Sequence, residues 1–168
     1  GGNSPWKSLG IGQYTDGLVT PFYCLDEEGN QVVPTPTYDV EILENTENLG
    51  LYRVMNPYSN SVFPYAEDDC APDGMFLEIN ACDPEGVYIE LQELGFDWGD
   101  GPLAFVSEGA RYLASYDFEL VKKNNLLGTL KDGVITLPLQ ANSKGYTYLG
   151  IMYLGTDGYL CGTDEFKV

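Results

Sequence analysis

Glycine, proline and Asn/Asp clusters interrupt this chain roughly every 8–15 residues, and the stretches between them are short, aromatic and β-branched. No stretch is long enough for a bundle of ordinary helices. The 13 Tyr, 7 Phe and 2 Trp favour strands, where large flat side chains pack on a pleated surface. At 168 residues one domain is expected, and a chain of about 150 residues buries roughly 70% of its unfolded surface, enough for a core without staples. The expected fold is all-β, an antiparallel β-sandwich or alternatively a partly closed β-barrel. Residues 6–168 would form the single domain, with residues 1–5 as a flexible tether.

Local pattern sets the expected pairings. Tyr38, Val40 and Ile42 alternate onto one face, and Tyr52-Arg53-Val54 can pair back, with Val40 opposite Val54. That register puts Arg53 opposite Glu41, a cross-strand ion pair with a structural role. Met75, Leu77 and Ile79 are answered by Val87, Ile89 and Leu91, which sets Glu78 beside Tyr88 and Phe76 beside Glu90. Asp132-Gly133 predicts a two-residue hairpin with Leu130 opposite Ile135, and Asp157-Gly158 a second one. One short helix is expected near 117–124, with Asp117 and Glu119 at its start, Lys122 and Lys123 at its end, and Asn124-Asn125 as a stop.

Composition removes whole classes of function. The chain carries 26 acids, 8 bases and no histidine, for a net charge of −18. Phosphate binding needs clustered cations, so a nucleic-acid partner is not expected. Without histidine the chain cannot build a Ser-His-Asp or Cys-His pair, nor a His-ligated zinc site. The charge is concentrated in residues 1–110, where Lys7 and Arg53 are the two bases; that part should repel anionic surfaces and attract cations. No apolar run reaches the ~18 residues of a membrane span. Cys24, Cys70, Cys82 and Cys161 match no metal spacing and permit three disulfide pairings, the shortest loop being Cys70 with Cys82.

Three acidic arrangements are candidates for chemistry. Asp97, Trp98 and Asp100, in Phe96-Asp97-Trp98-Gly99-Asp100-Gly101, form the candidate ligand site: Trp98 would stack on a sugar ring while the carboxylates accept from its hydroxyls. The same turn, or the Glu67-Asp68-Asp69 run with Asp73, offers oxygens to Ca²⁺, although a tight turn over a buried Trp98 and a solvated loop are the favoured readings of the two. No cofactor is otherwise expected. Glycoside hydrolysis survives without histidine, since it needs two carboxylates, and Glu78 with Glu90 are its nominees. Ser107 is no nucleophile elbow, because Phe105 stands where glycine is required.

Trp6-Lys7-Ser8-Leu9-Gly10, Tyr14-Thr15-Asp16-Gly17, Tyr38-Asp39-Val40-Glu41-Ile42, Gly50-Leu51-Tyr52-Arg53-Val54 with Asn56-Pro57-Tyr58, and Asp132-Gly133-Val134-Ile135-Thr136-Leu137-Pro138 occur in that order. This succession resembles secreted lipoproteins of gut Bacteroidetes over nearly the whole chain. The resemblance implies export to the periplasm or cell surface, with a lipid anchor upstream of Gly1 and the small, polar start as its tether; it carries no site residues. Residues 96–101 also resemble the Trp-Asp-Phe-Gly-Asp-Gly turn of polycystic-kidney-disease-type immunoglobulin-like domains with the aromatics exchanged, which implies at most a β-sandwich. The function expected is a non-catalytic binding or adhesion module for a glycan or a cell-surface protein. The alternatives are a small carbohydrate-active hydrolase and a structural subunit of a surface assembly.

Overall fold

The alternation at Tyr38, Val40 and Ile42 becomes a strand with those three side chains buried and Thr37, Asp39 and Glu41 exposed. The computed structural model describes residues 4–16, 28, 37–63, 72–97, 102–137, 149–153, 159–161 and 164–167. In chain order the elements are β1 (Trp6–Asp16), β2 (Thr37–Asn45), β3 (Leu51–Met55), β4 (Phe76–Asn80), β5 (Gln92–Asp97), β6 (Pro102–Ser107), α1 (Glu108–Leu113), α2 (Phe118–Lys123), β7 (Thr129–Lys131), β8 (Val134–Thr136), β9 (Leu149–Tyr153), β10 (Tyr159–Cys161) and β11 (Asp164–Lys167). The fold is all-β and sandwich-like, with two antiparallel sheets ordered β4-β3-β2-β1-β11-β8-β7 and β10-β9-β6-β5.

One short segment holds the larger sheet in shape. Tyr88 bridges to Asn80 at the end of β4, and Val87 exchanges backbone hydrogen bonds with Gly128 at the start of β7. The Leu130 amide also donates to the Pro84 carbonyl at 2.7 Å. Both outer strands of the seven-stranded sheet are thus bonded to residues 84–88, through isolated bridges rather than a continuous ladder, so the sheet curls without becoming a closed barrel. Inside the curl lies one core, including Tyr14, Val40, Ile42, Val54, Leu77, Ile79, Val87, Ile89 and Ile135. At one end Tyr58 packs edge to face with Tyr14 and Phe63 while Tyr38 lies tilted against both of those rings, the Tyr14 and Tyr58 hydroxyls bond each other, and the Tyr38 hydroxyl donates to the Pro57 carbonyl at 2.6 Å. Buried tyrosines are affordable here because each hydroxyl has a partner.

The Asp132-Gly133 hairpin forms as expected: Leu130 pairs with Ile135, and both turn residues take positive φ (52° and 78°), as a type I′ turn requires. The expected helix is α2, with Glu119 in its first turn and Lys122 and Lys123 in its last, and Asn125 at φ 60° ends it. A second helix, α1, has no counterpart in the sequence pattern. Its Gly109 is packed so closely on the Leu126 carbonyl that a Cβ has no space, which is a tertiary requirement with no periodic signature. β9 and β10 pair antiparallel on either side of the Asp157-Gly158 position, which lies outside the described residues, as does Pro138.

Two registers differ from expectation, each by two residues. Val54 faces Ile42 instead of Val40, and Arg53 lies between Leu43 on β2 and Glu78 on β4. Glu41 faces Met55 and accepts instead from the Ser8 hydroxyl at 3.1 Å. A two-residue slip keeps every side chain on its own face, so alternation could not distinguish the two solutions. The turn decides it. Asn45 Oδ1 accepts from the amides of Glu47 and Asn48, and Gly50, at φ 94°, receives the Ala81 amide on its carbonyl. The second shift has the same form: Tyr88 bridges Asn80 rather than facing Glu78, Val87 and Ile89 are buried, and Leu91 is exposed instead of joining the core.

Two predictions follow from this frame. A Cβ at Gly50 would lie 2.7 Å from the Ala81 carbonyl oxygen on a backbone that L-residues rarely adopt. Gly50→Ala should therefore lower stability by about 1–3 kcal/mol in urea melts, from backbone strain alone. Lys122 Nζ bonds Asp83 Oδ2 at 2.8 Å and fastens α2 to the 81–86 turn. The hydrogen bond from Lys122 holds the Asp83 carboxyl below the usual carboxylate range, and the same bond raises the Lys122 ammonium. The stabilisation is therefore present above the ordinary carboxylate range, lost as pH falls through the depressed value, and lost again as pH rises through the raised lysine value. Asp83→Asn should destabilise the protein by a constant amount between about pH 5 and pH 9 and make no difference in strong acid.

Candidate functional site

The outer face of the β3–β4 pair carries the most developed arrangement of polar groups among the described residues. Alternation sends Leu51 and Arg53 outward from β3, and Phe76, Glu78 and Asn80 outward from β4. Glu90, Leu91 and Gln92 follow from the bridging segment and complete an open groove of about 460 Å³.

Gln92 ties two sides of this groove together. Its side-chain Oε1 accepts from the Glu78 amide at 2.7 Å, while its Nε2 donates to the carbonyls of Glu78 (2.6 Å) and Glu90 (3.1 Å). A side-chain amide at the start of β5 thereby does for Glu78 what a neighbouring strand's peptide would do. Glu78 and Glu90, two residues on either side of the Asn80–Tyr88 bridge, come to the same groove.

Arg53 is held on three sides. Its Nε donates to Glu78 Oε1 at 3.1 Å, and its guanidinium carbon lies 3.9 Å from the ring centroids of both Trp6 and Phe76. Trp6 reaches it from β1 and Phe76 from β4. Trp6 and Tyr14 would share a face on a regular strand, yet Tyr14 is in the core. The bulge between Ser8 and Gly10, with Gly10 at φ 98°, inserts one residue and turns Trp6 to the outer face. Nη1 and Nη2 of Arg53 make no hydrogen bond to any described residue.

Around the groove, the Asn80 amide donates to the Tyr88 hydroxyl at 3.0 Å. Burial, then the Glu90 and Cys82 charges, push the Tyr88 phenol above its ordinary value, so it stays a neutral hydrogen-bonding group. Glu90 is exposed, and its carboxylate has no partner among the described residues. Cys82 is an exposed free thiol. Ser107 is buried, and its hydroxyl both accepts from the Ile89 amide (2.9 Å) and donates to the Ile89 carbonyl, joining β6 to the bridging segment. A smaller recess of about 180 Å³, lined by Tyr112, Tyr116, Leu120, Val121, Asn124 and Leu126, is almost wholly apolar.

The sequence-derived sites fare differently. Trp98 and Asp100 lie outside the described residues, and Asp97 is described only as the backbone end of β5, opposite Pro102. Glu67, Asp68 and Asp69 also lie outside them, while Asp73 accepts from the Ser61 hydroxyl at 2.7 Å. Among the described residues no three acidic or cysteine side chains are gathered as a metal site would require. Glu78 and Glu90, the carboxylate pair chosen from the sequence, do share a groove. Arg53, expected to be structural, does form a cross-strand ion pair, with Glu78 in place of Glu41, and it lines the same groove; its one signal in the sequence is its isolation as the only base between Lys7 and Arg111. No protein-family model matches the chain, and no curated protein or solved structure matches it either.

Gln92→Ala leaves the Glu78 amide and carbonyl without partners. The expected result is a loss of about 1–3 kcal/mol in stability, with faster hydrogen exchange at the Glu78 amide and little change at Leu77.

Proposed function

We propose that this chain is an exported, non-catalytic binding module that holds a glycan in the groove between β3, β4 and residues 90–92. One observation carries the proposal: the apolar side chains of Leu51, Phe76 and Leu91 line the same groove as the polar heads of Arg53, Glu78, Asn80 and Glu90 on a hydrogen-bonded sheet. Sugar recognition has the same two needs, a surface for the ring's C–H face and fixed donors and acceptors for its hydroxyls. The volume is within the range of small-ligand sites. Export rests on the resemblance to secreted lipoproteins, and a glycan partner suits a molecule working outside the cell.

A second reading is favoured by a specific feature, the shared groove of Glu78 and Glu90. A glycosidase built on them would need one carboxyl kept protonated in apolar surroundings and the other ionised. Here Glu78 Oε1 is engaged by Arg53, and Glu90 stands exposed. This argues for hydrogen bonding to hydroxyls over proton transfer.

Calorimetry and a glycan array on the intact chain test both readings together. Expected is saturable binding without release of reducing ends, weakened about tenfold or more by Glu90→Gln, as for loss of one charge-assisted hydrogen bond. Turnover of a polysaccharide that disappears in both Glu78→Gln and Glu90→Gln would establish the hydrolase instead.

A further inference from the structure

We infer that the glycan is an acidic one, and that Arg53 takes its carboxylate through the paired N–H groups of Nη1 and Nη2. The inference rests on the proposed glycan-binding role and adds the chemical class of the ligand.

A guanidinium has five N–H donors in a rigid planar fork, and both of its faces can stack on aromatic rings. In this protein the faces are covered by Trp6 and Phe76, and Nε is given to Glu78. The remaining four donors, on Nη1 and Nη2, have no partner among the described residues, although Arg53 lines the groove. An arginine serving the sheet alone would pair its fork with the carboxylate opposite. Glu78, directly across the ladder, meets only Nε, so the end that matches a carboxylate in two parallel hydrogen bonds stays open.

Holding the guanidinium on both faces and at Nε removes the freedom an arginine side chain normally loses on binding, which is how preorganisation gains affinity. The rest of the groove fits a sugar acid. Glu90 can accept from hydroxyls but repels a second carboxylate, so the acid group is directed to Arg53. Leu51 and Leu91 offer an apolar wall to the ring. A carboxylated sugar, unlike a neutral one, uses the fork fully.

The net charge of −18 makes this pairing unusual in its salt response. The overall field opposes an approaching anion at long range and is screened by salt, while a contact pair at the half-buried Arg53 is screened less. Association should therefore speed up as ionic strength rises, the reverse of binding to a basic patch.

The test uses the intact protein with di- and trisaccharides of a hexuronic acid, their methyl esters, the matching neutral hexose oligomers and a sulfated counterpart. The ester removes the charge with the protein untouched, so the result does not depend on any variant folding. Expected is at least about tenfold tighter binding of the free acid than of ester or neutral sugar. Arg53→Lys, which keeps the charge but loses the fork, should shrink that preference markedly. Equal binding of acid, ester and neutral sugar overturns the inference and leaves the glycan-binding reading standing. A preference for the sulfated sugar also overturns it. Failure of every sugar to bind removes both.

Discussion

The backbone of residues 84–89 is the piece on which the rest of this architecture depends. Val87 is bonded to Gly128 beside one outer strand, Tyr88 to Asn80 on the other, and Ile89 to Ser107 at the end of β6. A seven-stranded sheet has two open edges, and each would otherwise present unpaired amides and carbonyls. Here one short segment satisfies part of both and simultaneously buries Val87 and Ile89 beneath the sheet. Curl, core and attachment of the second sheet are consequences of the same few hydrogen bonds.

The groove is a by-product of that device. After Tyr88 the segment leaves the β4 edge, and Gln92 replaces the missing backbone with its side-chain amide. A continuous strand there would have filled the space that Glu78, Glu90 and Arg53 now line. The outer face is otherwise a solvent face, where one would expect dispersed charges of little energetic weight. Arg53 departs from that because two aromatic rings and one carboxylate fix it in place.

Much of this was legible from residues alone, and the exceptions have one cause. The alternation at 38–42, the Asp132-Gly133 turn and the α2 boundaries are local signals, and each is realised. Glu78 and Glu90 were identifiable as a pair because both lie on outward positions of neighbouring segments. The partner of Arg53 was misassigned because Glu41 and Glu78 are equally good cross-strand carboxylates, on opposite neighbours of β3. The Ser8–Gly10 bulge, which swings Trp6 over Arg53, leaves no mark in the pattern beyond a glycine.

By itself the sequence determined the class of fold and the face of each residue, because period-two alternation and turn chemistry act within a few residues of chain. It also determined the strongly negative field and the absence of imidazole chemistry, which are matters of composition. Register, the joining of the two sheet edges and the capture of Arg53 between Trp6 and Phe76 were decided only in the tertiary structure. A slip of two residues costs nothing in facing, and contacts between positions 6, 53, 76, 78 and 92 exist only once β1, β3, β4 and the bridging segment have been brought side by side.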